Sequence, residues 1–238
     1  MSNDPLDLWE RYKTMHTAHP EIGLALDLSR LNFQDDYFEQ MAEPMGKAFA
    51  VMAELEDGAI ANPDEDRMVG HYWLRNTTHA PSKEIRADIE NALTDVKAFA
   101  AGVHSGEVKG KGGNFENLLL IGVGGSALGP QFVSHALGKP STDKLKLVFF
   151  DNTDPNGNDT EIEYIGSGLD KTLVIVISKS GATKETRNGM LEAKAAFDAA
   201  GLDFAKHAVA ITGIGSKLDK IAEGDGWLMR FPMWDWVG

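Results

Sequence analysis

The sequence contains no cysteine. Disulfides, thiolate metal sites and a cysteine nucleophile are therefore excluded among its 238 residues, and the absence agrees with a cytoplasmic location. Long apolar runs are also missing. The longest, such as Leu118–Ile121 and Leu173–Ile177, are far too short to cross a bilayer, so no membrane partner is expected. The opening MSNDPLDLWE has neither the basic region nor the apolar stretch of a secretory signal. Basic residues are scarce, with 23 Lys and Arg against 36 Asp and Glu, a net charge of −13. No basic stripe interrupts this balance, which argues against a nucleic-acid partner. An anionic small molecule would have to find a local site, and helix N-termini supply one without basic residues.

What is present is ordinary for a globular protein, 42% hydrophobic and 25% charged. The length allows one large domain, or one domain behind a helical preface. The first 60 or so residues read as helical. A helix-like pattern spans Phe38–Leu55, where Pro44 is expected to break or start it. Asn62-Pro63-Asp64 signals a turn, and a second helix is expected over Asp66–Arg75. Ser82 then opens a long amphipathic helix over Lys83–Val103, with Ile85, Ile89, Leu93, Val96 and Phe99 at helical spacing.

Beyond the Gly106–Gly113 loop the period changes. Short apolar strands at Leu118–Val123, Lys146–Phe150, Thr172–Ile177 and Ala208–Thr212 alternate with helices at Ala127–Leu137, Asp159–Gly166, Lys184–Ala199 and Ser216–Glu223. Strands apolar on both faces and separated by helices predict an α/β fold: a doubly wound parallel sheet flanked by helices, in three layers. The expected division is a helical segment over residues 1–80 and the sheet domain over 81–238.

Two loops carry chemistry. The first, Gly122-Val-Gly-Gly-Ser-Ala-Leu-Gly-Pro130, follows a strand and opens a helix. Its glycines allow a sharp turn and close approach of a ligand to free helix N-terminal amides. Ser126 could cap that helix or touch the ligand. Gly122, Gly124 and Ala127 also satisfy the G-x-G-x-x-[G/A] dinucleotide fingerprint, with Asp151 as the candidate ribose-binding acid. The second loop, Ser178-Lys-Ser-Gly-Ala-Thr183, places three hydroxyls at a strand-to-helix junction, where they can converge on one phosphate. Two anion-ready loops exceed what one dinucleotide fingerprint explains and favour a small phosphorylated ligand.

These runs resemble those of the glucose-6-phosphate isomerase family. Gly122–Pro130 is similar to the family's GIGGSDLGP loop, and Ser178–Thr186 (SKSGATKET) to its SKT-x-x-T-x-ET phosphate loop. Asp64–Asn76 (DEDRMVGHYWLRN) resembles its E-x-R-x-x-x-H-x-x-LRN stretch, and Phe231–Gly238 the run into its GGR signature. Ala127 stands where the family pattern has Asp, and Ser180 where it has Thr. The resemblance implies a sugar-isomerase (SIS) fold that interconverts glucose 6-phosphate and fructose 6-phosphate through a cis-enediol, without metal or organic cofactor. It implies that Ser178, Ser180 and Thr183 hold the phosphate with Lys179 assisting, and that Gly125 and Ser126 line the sugar-phosphate pocket. Glu185 matches an acid near the family's catalytic histidine, although a first-turn Glu is also what a helix dipole favours. The family's catalytic glutamate, histidine and lysine fall beyond Gly238. The expectation is therefore an inactive half-chain, cut before a second SIS domain, of an enzyme that is a homodimer at full length.

No residue present is expected to replace the missing base. The seven histidines are scattered; His16 and His19 have an i,i+3 spacing but no third ligand, and His71 reads as a buried structural histidine on a helix. Phe231, Trp234 and Trp236 make an aromatic terminus that must pack locally or be followed by more protein. The rival readings are a non-catalytic sugar-phosphate-binding module and a dinucleotide-binding oxidoreductase.

Overall fold

A computed structural model describes residues 4–34 and 36–237. The chain divides into two compact units, 1–53 and 54–238. In the first, helix α1 (Pro5–Met15) starts where Asp4 accepts a hydrogen bond from the Leu6 amide at 2.8 Å. A hairpin follows, β1 (His16–His19) against β2 (Leu24–Asp27), turned by a 3-10 segment that ends at Gly23 with φ 65°. His16 and His19, three apart in a strand, therefore point to opposite faces.

Helix α2 (Tyr37–Glu56) leads out of this unit. Pro44 lies inside it and neither breaks nor starts it. Pro44 and Gln40 are both exposed, so the carbonyl that the ring leaves unbonded opens to solvent rather than being trapped in a core.

In the second unit, β3 (Ile60–Asn62) pairs with β4 (Arg67–Met68) around the expected turn. The helix expected over Asp66–Arg75 is absent. Its place is taken by β4 and a single 3-10 turn, His71–Leu74, with Gly70 between them. The reason is Trp73, which is 0% exposed: Gly70 leaves the space its ring fills, and a regular helix would carry the ring out of that socket. His71 is consequently exposed, not buried. The buried histidine is His207, at 0% exposure, whose Nδ1 lies 2.9 Å from the Thr172 carbonyl. With the proton on Nδ1, Nε2 is left to accept from the Lys111 amide at 3.4 Å.

Helix α3 (Lys83–Ser105) is capped by Ser82, which accepts from the Ile85 amide at 3.2 Å, and is stopped by Gly106 at φ 80°. Then come β5 (Asn117–Ile121), α4 (Gly125–Leu137), β6 (Lys146–Phe150), α5 (Pro155–Ile165), β7 (Thr172–Ser178), α6 (Lys184–Ala199), β8 (Ala208–Thr212), α7 (Lys217–Gly224) and β9 (Met229–Pro232). The five strands form one parallel sheet in the order β6-β5-β7-β8-β9. Alternate residues face opposite layers. Val174, Val176, Leu119 and Ile121 pack with Met190, Ala193 and Phe197 of α6 and with Leu218 and Ala222 of α7. Leu173, Val209 and Phe231 pack on the other side with Phe99 and Val103 of α3. Full burial of a side chain such as Phe197 stabilises by about 1.5–3 kcal/mol.

The terminal aromatics pack locally. Trp236 stacks on Trp234 at 5.0 Å and meets Trp73 at 5.3 Å, and the Trp73 indole donates to the Glu56 carbonyl at 2.8 Å. Gly238 lies outside the described residues. Among those described, no helix is long and apolar enough to cross a membrane.

Candidate phosphate site

In chain order the sheet strands run second, first, third, fourth, fifth. The order reverses between β5 and β7, and ligands of doubly wound sheets bind outside the carboxyl ends of the strands at this switch point. The two glycine- and hydroxyl-bearing loops follow β5 and β7. They are brought to neighbouring strand ends by the pairing of Ile121 with Val176.

In the first loop, Gly124 is the residue before α4, at φ 58° and ψ −127°, a conformation that requires glycine, and no side chain caps the helix. Ser126 is not the cap. It sits in the first turn, half-buried, its amide bonded to the Val123 carbonyl at 3.2 Å, and Gly125 beside it is exposed. The α4 N-terminus is thus left without a side-chain acceptor.

The second loop is held from below. Thr212 on β8 donates to the Ser178 carbonyl at 2.6 Å, and the Gly213 amide donates to the Lys179 carbonyl at 3.0 Å. Ser178 is 5% exposed and its hydroxyl donates to Thr183 Oγ1 at 3.2 Å. Thr183 is the residue before α6 but makes no capping bond. Its hydroxyl therefore has its own proton to offer a ligand, beside the unpaired amides of the first helical turn. Ser180 accepts from the Ala182 amide at 3.2 Å and shapes the turn, and Gly181 holds φ 63° there. Lys179 reaches the other way, donating to the Val237 carbonyl at 2.9 Å.

A cleft of roughly 310 Å³ opens between α6 and α7. Ser178 and Thr183 stand in its wall, Val176, Met190 and Leu218 are apolar lining, and Lys184, Arg187 and Lys217 add positive charge. Of the seven residues that the sequence marks as site candidates, only Ser178 and Thr183 line it. Gly125, Ser126, Lys179, Ser180 and Glu185 do not. Glu185 is exposed in the first turn of α6. The cleft also takes in Thr186, Arg187 and Lys217, which the sequence reading passed over. Thr186 and Arg187 carry a legible signal, since they follow Thr183 at helical spacing. Lys217 carries none, because it is placed by the sheet order.

The same order decides the dinucleotide reading. A dinucleotide-binding half places its third strand outside the second, in the order 3-2-1. Here the third strand, β7, lies beside the first, β5. Asp151, the candidate ribose acid, already accepts from Gln131 Nε2 at 2.7 Å and from Asn152 Nδ2 at 2.8 Å. No group of three or more His, Asp or Glu that could hold a metal occurs among the described residues.

Comparison with known proteins agrees with this arrangement. The phosphoglucose isomerase family matches over residues 27–238. The chain belongs to the phosphoglucose isomerase family. It is 57% identical over 234 residues to a glucose-6-phosphate isomerase of Geotalea daltonii and 58% identical over 234 residues to that of Geobacter sulfurreducens. In both cases 98% of this chain aligns with 44% of the relative. This phosphoglucose isomerase family chain therefore spans a little under half the length of the curated relatives it matches. A crystal structure of a glucose-6-phosphate isomerase from Chlamydia trachomatis superposes with a TM-score of 0.81 at 25% identity, over 96% of this chain and 44% of that one. The architecture is thus that of a sugar-isomerase domain.

Proposed function

We propose that this chain is the phosphate-holding half of an aldose–ketose isomerase that interconverts glucose 6-phosphate and fructose 6-phosphate in glycolysis and gluconeogenesis. The observation that carries the reading is the Ser178–Thr183 loop: hydroxyls and an uncapped α6 N-terminus meet at the switch point of the sheet, without a carboxylate in the cleft wall. The phosphate is held by Ser178, Thr183 and the first amides of α6. Ser180 shapes the turn, Lys179 ties the loop to the terminal segment, and Gly125 and Ser126 meet the sugar from the neighbouring strand end. The sheet domain, from about residue 81, supplies these groups, behind a preface over 1–80. Proton transfer between C1 and C2 needs a base, and neither carboxylate nor imidazole lines the cleft. That observation favours a second reading for this chain by itself, a sugar-phosphate-binding module without turnover. A cytoplasmic, homodimeric full-length enzyme that uses no cofactor completes the proposal on family grounds.

Calorimetry with fructose 6-phosphate, run beside a coupled isomerase assay on this 238-residue chain, tests it. Measurable binding without turnover is expected. Binding of NAD with no affinity for the sugar phosphate would overturn the assignment, and full turnover would show that a base within this chain had been overlooked.

A further inference from the structure

The cleft between α6 and α7 holds more than one phosphate requires. Thr186 is 3% exposed and lines it, and its hydroxyl has no hydrogen-bond partner among the described residues. It is not sealed in the core either. The sole enclosed side-chain polar atom without a partner, among the described residues, is Trp227 Nε1. The Thr186 hydroxyl therefore opens into the cavity that the residue lines, as an unused donor and acceptor.

The positive charge is likewise in excess. Lys184, Arg187 and Lys217 all line the cleft, and none lies within 4 Å of a carboxylate among the described residues, in a chain of net charge −13. Arg187 lies in α6 one helical turn, a rise of about 5–6 Å, beyond Thr183 at its start, and Lys217 lines the same cleft from the start of α7. Three charges for one monophosphate is more than the loop needs, because the loop supplies hydroxyls and amides of its own.

We infer that the cleft takes a short polyol bearing two phosphate groups: one on the Ser178–Thr183 loop, a hydroxyl of the backbone on Thr186, and the second phosphate on Arg187 and Lys217. The inference rests on the phosphate-loop reading above and adds a ligand class to it. General attraction does not produce such binding, since the overall charge of the chain repels a polyanion. Selectivity for the doubly charged ligand is thus diagnostic of the local cations.

The test is calorimetry at fixed, low ionic strength with fructose 6-phosphate and fructose 1,6-bisphosphate as probes. The proteins are the unaltered chain, Thr186→Val, Thr183→Val and the double variant Arg187→Ala/Lys217→Ala, with thermal melts to check that each is folded. The bisphosphate is expected to bind about tenfold more tightly than the monophosphate. The exposed double variant should weaken the bisphosphate far more than the monophosphate and so erase that preference, and added salt should erode it in the unaltered chain. Thr186→Val should weaken both ligands several-fold. Equal affinities, or a bisphosphate preference that survives the double variant, would overturn the inference. If Thr183→Val still weakens monophosphate binding in that case, the phosphate-loop reading stands. If neither sugar phosphate binds the unaltered chain, both fall together.

Discussion

Thr212→Val tests whether the phosphate loop is held from beneath, as the hydrogen bonds indicate. Thr212 is 1% exposed, and its single hydroxyl hydrogen goes to the Ser178 carbonyl at 2.6 Å. Its 2.7 Å contact with Ser216 must then run the other way, with Ser216 donating, and Ser216 in turn accepts from the Asp219 amide at 3.0 Å to cap α7. Valine fills the same volume, so no cavity term enters. What is lost is two hydrogen bonds in a buried setting. The Ser178 carbonyl keeps the Gly181 amide at 3.2 Å, while the Ser216 proton loses its acceptor. At about 1 kcal/mol for each bond, plus part of one desolvation penalty, the cost is about 2–3 kcal/mol. For a chain of this size that lowers the melting midpoint by roughly 5–10 °C. Urea unfolding followed by fluorescence measures it, and a cycle with Ser216→Ala should return a coupling of about 1 kcal/mol. The loosened Ser178 should also weaken fructose 6-phosphate several-fold. A stability change under about 0.5 kcal/mol, the range of an ordinary surface substitution, would refute the account of the loop as anchored by β8.

Thr183→Val should weaken fructose 6-phosphate by about 1–2 kcal/mol through loss of one hydrogen bond to a charged group, and unchanged affinity in calorimetry would remove Thr183 from the site. Gly70→Ala would drive a methyl group into the Trp73 ring, which is fully buried, so a loss of about 2–3 kcal/mol is expected in denaturant unfolding. A neutral result there would mean that the 3-10 turn at His71–Leu74 moves freely. In the first unit, the Ser29 hydroxyl and amide hold the Asp27 carboxyl below its ordinary 3.8. A folded-state value below the unfolded one stabilises at pH above the ordinary carboxylate range, and that stabilisation is lost as the pH falls toward the folded value. Asp27→Asn should therefore flatten the acid side of the stability profile of the hairpin, read from the Ser29 amide resonance. An acid limb identical to that of the unaltered chain would contradict it.

The central strands were legible because burial on both faces leaves little room for polar residues, so Leu173 to Ile177 and Ala208 to Ile211 stand out as unbroken apolar runs. β9 was not. Its Arg230 is spent on a part-buried contact with Asp219 at 2.8 Å and an exposed one with Glu223 at 2.9 Å, and its Pro232 suits an edge, so Met229–Pro232 shows no continuous apolar run. The segment over Asp66–Arg75 misled for the opposite reason. Met68, Tyr72 and Trp73 have helical spacing, but the demand for space around one indole at Gly70 outweighed the period.

At the site, contiguity set the limit of what could be read. Ser178 and Thr183 share one loop, and their hydroxyls are spaced for one ligand whatever the rest of the chain does. Lys217 enters the same cleft only because β8 lies beside β7, which sets α7 against α6. A glycine loop after the first strand is shared by dinucleotide-binding and sugar-phosphate-binding sheets, and the local residues Gly122, Gly124 and Ala127 satisfy either. What separates the two is where the third strand inserts. Outside the second strand it would have left the Ser178–Thr183 loop two strands away from Gly125. Beside the first strand, as found, it brings both loops to one switch point and leaves the N-termini of α4 and α6 uncapped at neighbouring strand ends. The chemistry follows from that insertion, and no single motif contains it.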